Sequence, residues 1–211
     1  MSTTDNDNAM STDKNSERVG FACSYTPLPL IHAAGFVPYR VLPLGDAPDQ
    51  AGSLLHDNLC PHVKRILDRG LAGQLPTLSG LVLVNSCDAM RRLADAWREA
   101  LPNDRIAFID LPLTTEEAAM AYFARQLAGL RDELASWSGR RPVTGEQLIE
   151  SLRLYNDLSV HLDRHRHDSD GQRHQQLLNR SVTDPPEAVL AELRSASTSA
   201  AAAQGTSGVP L

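Results

Sequence analysis

Apolar residues in this chain follow two rhythms, and each predicts a different element. Short apolar runs at Val19-Gly20-Phe21-Ala22, Phe36-Val37-Pro38-Tyr39-Arg40-Val41-Leu42, Leu81-Val82-Leu83-Val84 and Ile106-Ala107-Phe108-Ile109 read as strands. The third is the clearest buried strand, and the fourth is halted by Asp110-Leu111-Pro112. A helical period fills the gaps. Pro27 to Ala34 predicts a helix with proline in its first turn, closed by Gly35, and Asp88 to Ala100 predicts one with Met90, Leu93, Ala94 and Trp97 on a single face. Helical spacing then continues from Thr115 to Trp137 and from Thr144 to about Arg166, with Gly139 between them and a Thr144/Gln147 capping box at the second start. A further helix is predicted over Pro186 to Arg194. Strands alternating with helices imply an α/β fold, a Rossmann-like parallel sheet with helices on both faces.

The two ends lack either rhythm. Residues 1–18 hold twelve Ser, Thr, Asp or Asn and three apolar side chains, too few to offset the entropy of ordering, and are expected to be a disordered tail. Residues 195–211, thirteen of them Ala, Ser, Thr or Gly, are expected to be a flexible linker with nothing attached after it. Between the ends, 19–138 reads as the α/β domain and 139–194 as a helical segment. The 211 residues are 42% hydrophobic and 22% charged, with a net charge of −6. That acidic balance, with 18 arginines scattered, gives no footprint for nucleic acid. No apolar stretch approaches the ~20 residues of a membrane span, and the first residues lack the order of a secretory signal, so a cytoplasmic protein is expected.

Cysteine usage narrows the chemistry. Cys23, Cys60 and Cys87 are an odd set, which argues against a disulfide framework and leaves buried spectators, a redox site or metal ligands. Each falls at a junction between elements: after the first strand, before Pro61, and between the best strand and the best helix. Loops at the carboxyl ends of parallel strands converge on one crevice, so spacings of 37 and 27 residues still permit a shared site. Helix N-termini favour thiolate, the metal-binding form, and three such thiols suit an iron–sulfur cluster or a zinc site with an open fourth position. No C-x-x-C pairing supports either. Gly70-Leu71-Ala72-Gly73 lacks the lysine of a phosphate-binding loop, so ATP chemistry would belong to a partner. His161, His165, His167 and His174 lie in strongly polar surroundings and read as a solvated helix end rather than a metal tract.

Three stretches carry a resemblance. Cys23-Ser24-Tyr25-Thr26-Pro27 with Leu30-Ile31-His32-Ala33-Ala34-Gly35-Phe36-Val37-Pro38, then Cys60-Pro61, then Ser86-Cys87-Asp88-Ala89-Met90-Arg91-Arg92-Leu93, resemble the 2-hydroxyacyl-CoA dehydratase and benzoyl-CoA reductase subunit family. Asp110-Leu111-Pro112, Tyr122-Phe123 and Leu154-Tyr155-Asn156-Asp157-Leu158 extend it, so the likeness covers roughly Val19 to Arg166. It implies that Cys23, Cys60 and Cys87 hold a 4Fe-4S cluster whose fourth iron is left to water, hydroxide or substrate. It also implies a homologous subunit as partner and an ATP-dependent iron–sulfur activator protein that delivers one electron. The electron would pass to the thioester carbonyl of an acyl-CoA, giving a ketyl radical that leads to dehydration or, in the reductase branch, to ring reduction. Ser24 is the nearest hydroxyl to hydrogen-bond the cluster or the thioester, against a plain role in a strand-end turn. Asp88 is expected to cap the helix after Cys87, and His32 to be a packing histidine.

The chain also departs from the family. Many members carry Pro-Glu-Glu after the tyrosine where this chain reads Pro27-Leu28-Pro29, so an acidic group near the cluster is missing. The second α/β domain that closes the family's cleft is expected where this sequence stops, which makes the chain resemble an N-terminal half. Competing readings are a truncated or degenerate non-catalytic subunit that partners a related chain, a benzoyl-CoA reductase-type subunit, and a zinc-binding α/β domain.

Overall fold

A computed structural model describes residues 17–168 and 170–204. Four strands form one sheet: β1 (Arg18–Phe21), β2 (Val37–Arg40), β3 (Gly80–Asn85) and β4 (Ile106–Asp110). Their order is β2-β1-β3-β4, and every neighbouring pair is parallel. The strand alternation sorts side chains between two cores. On one face Leu81 and Leu83 meet α2 (Pro61–Leu71) and α3 (Asp88–Ala100) through Ile66, Leu67, Leu93 and Trp97. Val82 and Val84 point the other way, to α1 (Leu28–Ala33) and α4 (Glu117–Ser138) through Ile31, Leu130 and Leu134. The sheet is thus covered on both faces, which explains why its central strand reads as an unbroken apolar run.

Glycine is required where α1 turns into β2. Gly35 has a φ of +86°, and a Cβ there would also run into the guanidinium of Arg140. The loop before α2 is organised by Asp68, which is buried and accepts the backbone N–H groups of Gln50 and Ala51 at 2.8 Å each and Nη1 of Arg65 at 3.1 Å. That network ties the turn at Ala51–Ser53 to α2.

Three further helices, α5 (Gly145–Asp168), α6 (Gly171–Arg180) and α7 (Pro186–Gln204), make a small core from Leu158, Leu177, Val189, Leu190 and Leu193. They are tied to the sheet layer. Leu148 and Val143 pack against its α1 face, and His32 on α1 lies 2.9 Å from Ser151 Oγ and 2.7 Å from Glu187 Oε1. The backbone N–H of Arg40, at the outer strand, donates to Val182 O at 2.7 Å. The expected capping box is present: the Gln147 N–H donates to Thr144 Oγ1, and the Thr144 N–H donates to Gln147 Oε1.

Two boundaries differ from the sequence expectation. Arg18 belongs to β1 rather than to the tail, because the parallel pairing with β2 begins there, at Arg18↔Val37. Helix α7 continues past Arg194 to Gln204, so residues 195–204 are helical rather than an open linker; four consecutive alanines are the strongest helix formers available. Residues 1–16 and 205–211 lie outside the described residues. No described helix is long and apolar enough to cross a membrane.

Candidate functional site

The order β2-β1-β3-β4 reverses direction between β1 and β3, since the chain steps outward one way to β2 and the other way to β4. At such a switch point the loops after the two central strands diverge to opposite faces and leave a crevice above the carboxyl ends. Here those loops carry Cys23 and Cys87. They meet through a contact between the Cys23 thiol, which donates, and Ser86 Oγ at 3.1 Å. Cys60 reaches the same end of the sheet as the N-cap of α2, and Cys87 is the N-cap of α3. Neither helix start has a side-chain cap, so first-turn N–H groups remain available there.

All three thiols are free; Cys23 is half-buried, and Cys60 and Cys87 are exposed. Among the described residues no three His, Cys, Asp or Glu side chains are gathered closely enough to hold a single metal ion. The donor set nevertheless suits a cluster in kind. All three are thiols free of disulfides, the ligand type an iron–sulfur cluster takes, and each lies at a junction between elements. Beside this rim lies a cleft of about 610 Å³ between the segment before Cys60 and α3, lined by Leu54, His56, Leu59, Asp88, Arg92 and Glu99.

Asp88 is not the cap it was expected to be. It is the first residue within α3, and its carboxylate lies 3.7 Å from Arg92 one turn on. Ser24 Oγ accepts a hydrogen bond from Arg40 Nη2 at 3.4 Å. His32 does pack as expected, edge-on to Tyr155 with its ring nitrogens against Ser151 and Glu187. His161 lies with Nδ1 2.8 Å from Asp157 O, and His165 stacks on His174 at 6.2 Å.

A polar network beside Cys87 escaped the sequence reading. Asn85, the last residue of β3, donates through Nδ2 to Asp110 at the end of β4, and its Oδ1 accepts from Arg91 at 3.2 and 3.3 Å. The other Asp110 oxygen accepts the Tyr122 hydroxyl at 3.0 Å, and that bond, with the carboxylate charge, holds the phenol above its ordinary pKa. Asn85 is thereby clamped from two sides, which fixes the direction in which Ser86 and Cys87 leave the strand. Asn85 and Asp110 are register partners, so pairing the two strand ends would have been the one available signal.

Arginine adds charge to the rim. Arg40 ends β2 opposite Phe21, and its charge, after desolvation by burial, lowers the pKa of His62 in the first turn of α2. It therefore stands between the segment after Cys23 and the segment after Cys60. This too was missed, since nothing in the spacing links residues 24, 40 and 62.

The chain is 24% identical over 148 residues to one of the benzoyl-CoA reductase subunits of Thauera aromatica, which covers 69% of this chain and 38% of that protein. It is also 24% identical over 140 residues to the (R)-phenyllactyl-CoA dehydratase beta subunit of Clostridium sporogenes, covering 66% of this chain and 37% of the relative. A match of the same identity and coverage is found to the beta subunit of lactoyl-CoA dehydratase of Anaerotignum propionicum. The aligned part thus spans less than two fifths of each of these relatives. The profile of the family described as 2-hydroxyglutaryl-CoA dehydratase, D-component, matches residues 23–208, nearly the whole chain, and the protein belongs to that family.

Proposed function

We propose that this chain is the iron–sulfur-bearing portion of an acyl-CoA dehydratase or reductase subunit, with Cys23, Cys60 and Cys87 as the ligands of a 4Fe-4S cluster. The observation that carries the reading is the placement of three free thiols at one end of the sheet, two of them in loops that touch at the topological switch point. A bound cluster would supply single-electron transfer and one iron open to a thioester oxygen. The residues of the chain contribute the holding. Ser86 steadies Cys23, the Asn85–Asp110–Tyr122 clamp holds the strand end before Cys87, and Asp68 ties the loop before α2 to that helix. Ser24 is positioned between Cys23 and Arg40 to offer its hydroxyl to the cluster or the substrate.

An ATP-driven iron–sulfur activator as electron source and a homologous subunit as partner belong to the same proposal. The three relatives are equally identical at 24%, so the proposal extends to their shared acyl-CoA chemistry and not to one substrate. Anaerobic reconstitution tests it. The wild-type chain is expected to bind about four irons and four sulfides and to absorb broadly in the visible, and Cys60→Ala to lose both. A colourless protein without iron overturns the reading, and one zinc per chain would favour the zinc-domain alternative.

A further inference from the structure

Arg40 is held in a way that its surroundings do not explain. Its backbone is pinned on both sides, by the register with Phe21 and by the N–H bond to Val182 O, so the residue has a fixed station at the carboxyl end of β2. Its guanidinium, by contrast, makes a single hydrogen bond among the described residues, the 3.4 Å contact to Ser24, and no ion pair. Nε is shielded from solvent and has no partner among the described residues. Arg69 offers the comparison. It too has a buried, unpartnered Nε, but its Nη1 and Nη2 donate to Leu42 O at 2.7 Å and Gln74 O at 3.1 Å, and the residue clamps a loop. Arg40 has no such structural duty.

A partly buried cation with one long hydrogen bond and an unpartnered Nε is costly, and proteins keep such groups where a ligand completes them. A guanidinium matches carboxylate and phosphate oxygens in pairs, so the missing partner is an anionic oxygen. The location then selects the site: Arg40 is the last residue of β2, and its guanidinium reaches Ser24, the residue after Cys23. We propose that Arg40 is the anion-recognition residue of the cysteine rim and that it receives a phosphate or a carboxylate of the ligand that enters there. This rests on the acyl-CoA reading above, because coenzyme A carries the phosphates and an acyl group can carry the carboxylate.

Calorimetric titration of the full chain, kept anaerobic, tests it with coenzyme A, 3′-dephospho-coenzyme A, butyryl-CoA and glutaryl-CoA against wild type, Arg40→Lys and Arg40→Met. Loss of the guanidinium in Arg40→Met is expected to weaken binding about tenfold or more, and Arg40→Lys, which keeps charge but not the paired donors, is expected to weaken it less. A loss shared by all four probes assigns the pyrophosphate. A loss absent from the dephospho probe assigns the 3′-phosphate, and one confined to glutaryl-CoA assigns the acyl carboxylate. Equal affinities in wild type and Arg40→Met, or no binding by wild type, overturn the proposal. Circular dichroism checks folding, and Arg40→Gln replaces Arg40→Met if the latter does not fold. Iron measured on the same preparations separates the two readings. Iron present with Arg40 indifferent sinks only this inference; dependence on Arg40 without iron sinks only the cluster.

Discussion

The thiol of Cys23 and the hydroxyl of Ser86 meet at 3.1 Å although 63 residues separate them, and this contact joins the two loops that flank the switch point. Removing the hydroxyl should leave the fold intact and loosen that join. Ser86→Ala is expected to cost about 0.5–1.5 kcal/mol in denaturant unfolding, the range for one hydrogen bond. The iron retained after reconstitution should fall in the same variant. Unchanged stability and unchanged iron would show that the loops are held by other means.

A larger effect is expected at Asp68. Its buried carboxylate serves two backbone N–H groups and Arg65, so Asp68→Ala strands three donors at once. A loss of about 3–5 kcal/mol is expected, with Asp68→Asn closer to wild type because one acceptor oxygen survives. Urea unfolding of both variants checks the order.

Acid should weaken the tie between α1 and α7. The hydrogen bond from His32 is the main cause holding the Glu187 carboxyl below its ordinary value of 4.5. A carboxylate with a depressed folded pKa adds stability above its unfolded value and loses it as the pH falls through the folded one. The melting temperature of wild type should therefore exceed that of Glu187→Gln near pH 6, and the gap should narrow as the pH falls below the ordinary carboxyl value of 4.5. A gap that stays constant down to about pH 3 would exclude this linkage.

Two glycines should respond with opposite signs. A Cβ at Gly80 would stand 2.5 Å from the Trp137 ring, so Gly80→Ala is expected to destabilise by about 1–3 kcal/mol and to change tryptophan emission. Gly129, exposed within α4, has nothing within 4 Å of such a Cβ, and Gly129→Ala is expected to stabilise by up to about 1 kcal/mol. Thermal melts of the pair decide.

The legibility of this molecule in its sequence was uneven for physical reasons. Strand β3 announced itself because both of its faces are buried, and α3 because it has one apolar face. Helix α6 gave no such signal. It is polar along most of its length, and it forms because Asp170 caps it, accepting the Arg173 N–H at 2.8 Å, and because Leu177 is buried with Leu158 and Leu193. The cysteines could be placed at element junctions from pattern alone. What the pattern could not supply was the strand order, and with it the fact that Cys23 and Cys87 flank the point of reversal. Networks such as Asn85–Asp110–Tyr122, and the station of Arg40, depend on pairing across the sheet and have no local signature.

One backbone bond has a consequence for solubility. β2 is the outermost strand on its side, and the N–H of Arg40 would face outward as an open invitation to another strand if Val182 O did not occupy it. The turn between α6 and α7 therefore acts as a guard on the sheet edge. A chain cut after α5 should keep its parallel strands yet begin to associate through β2, visible as rising light scattering with concentration while the intact chain stays unchanged.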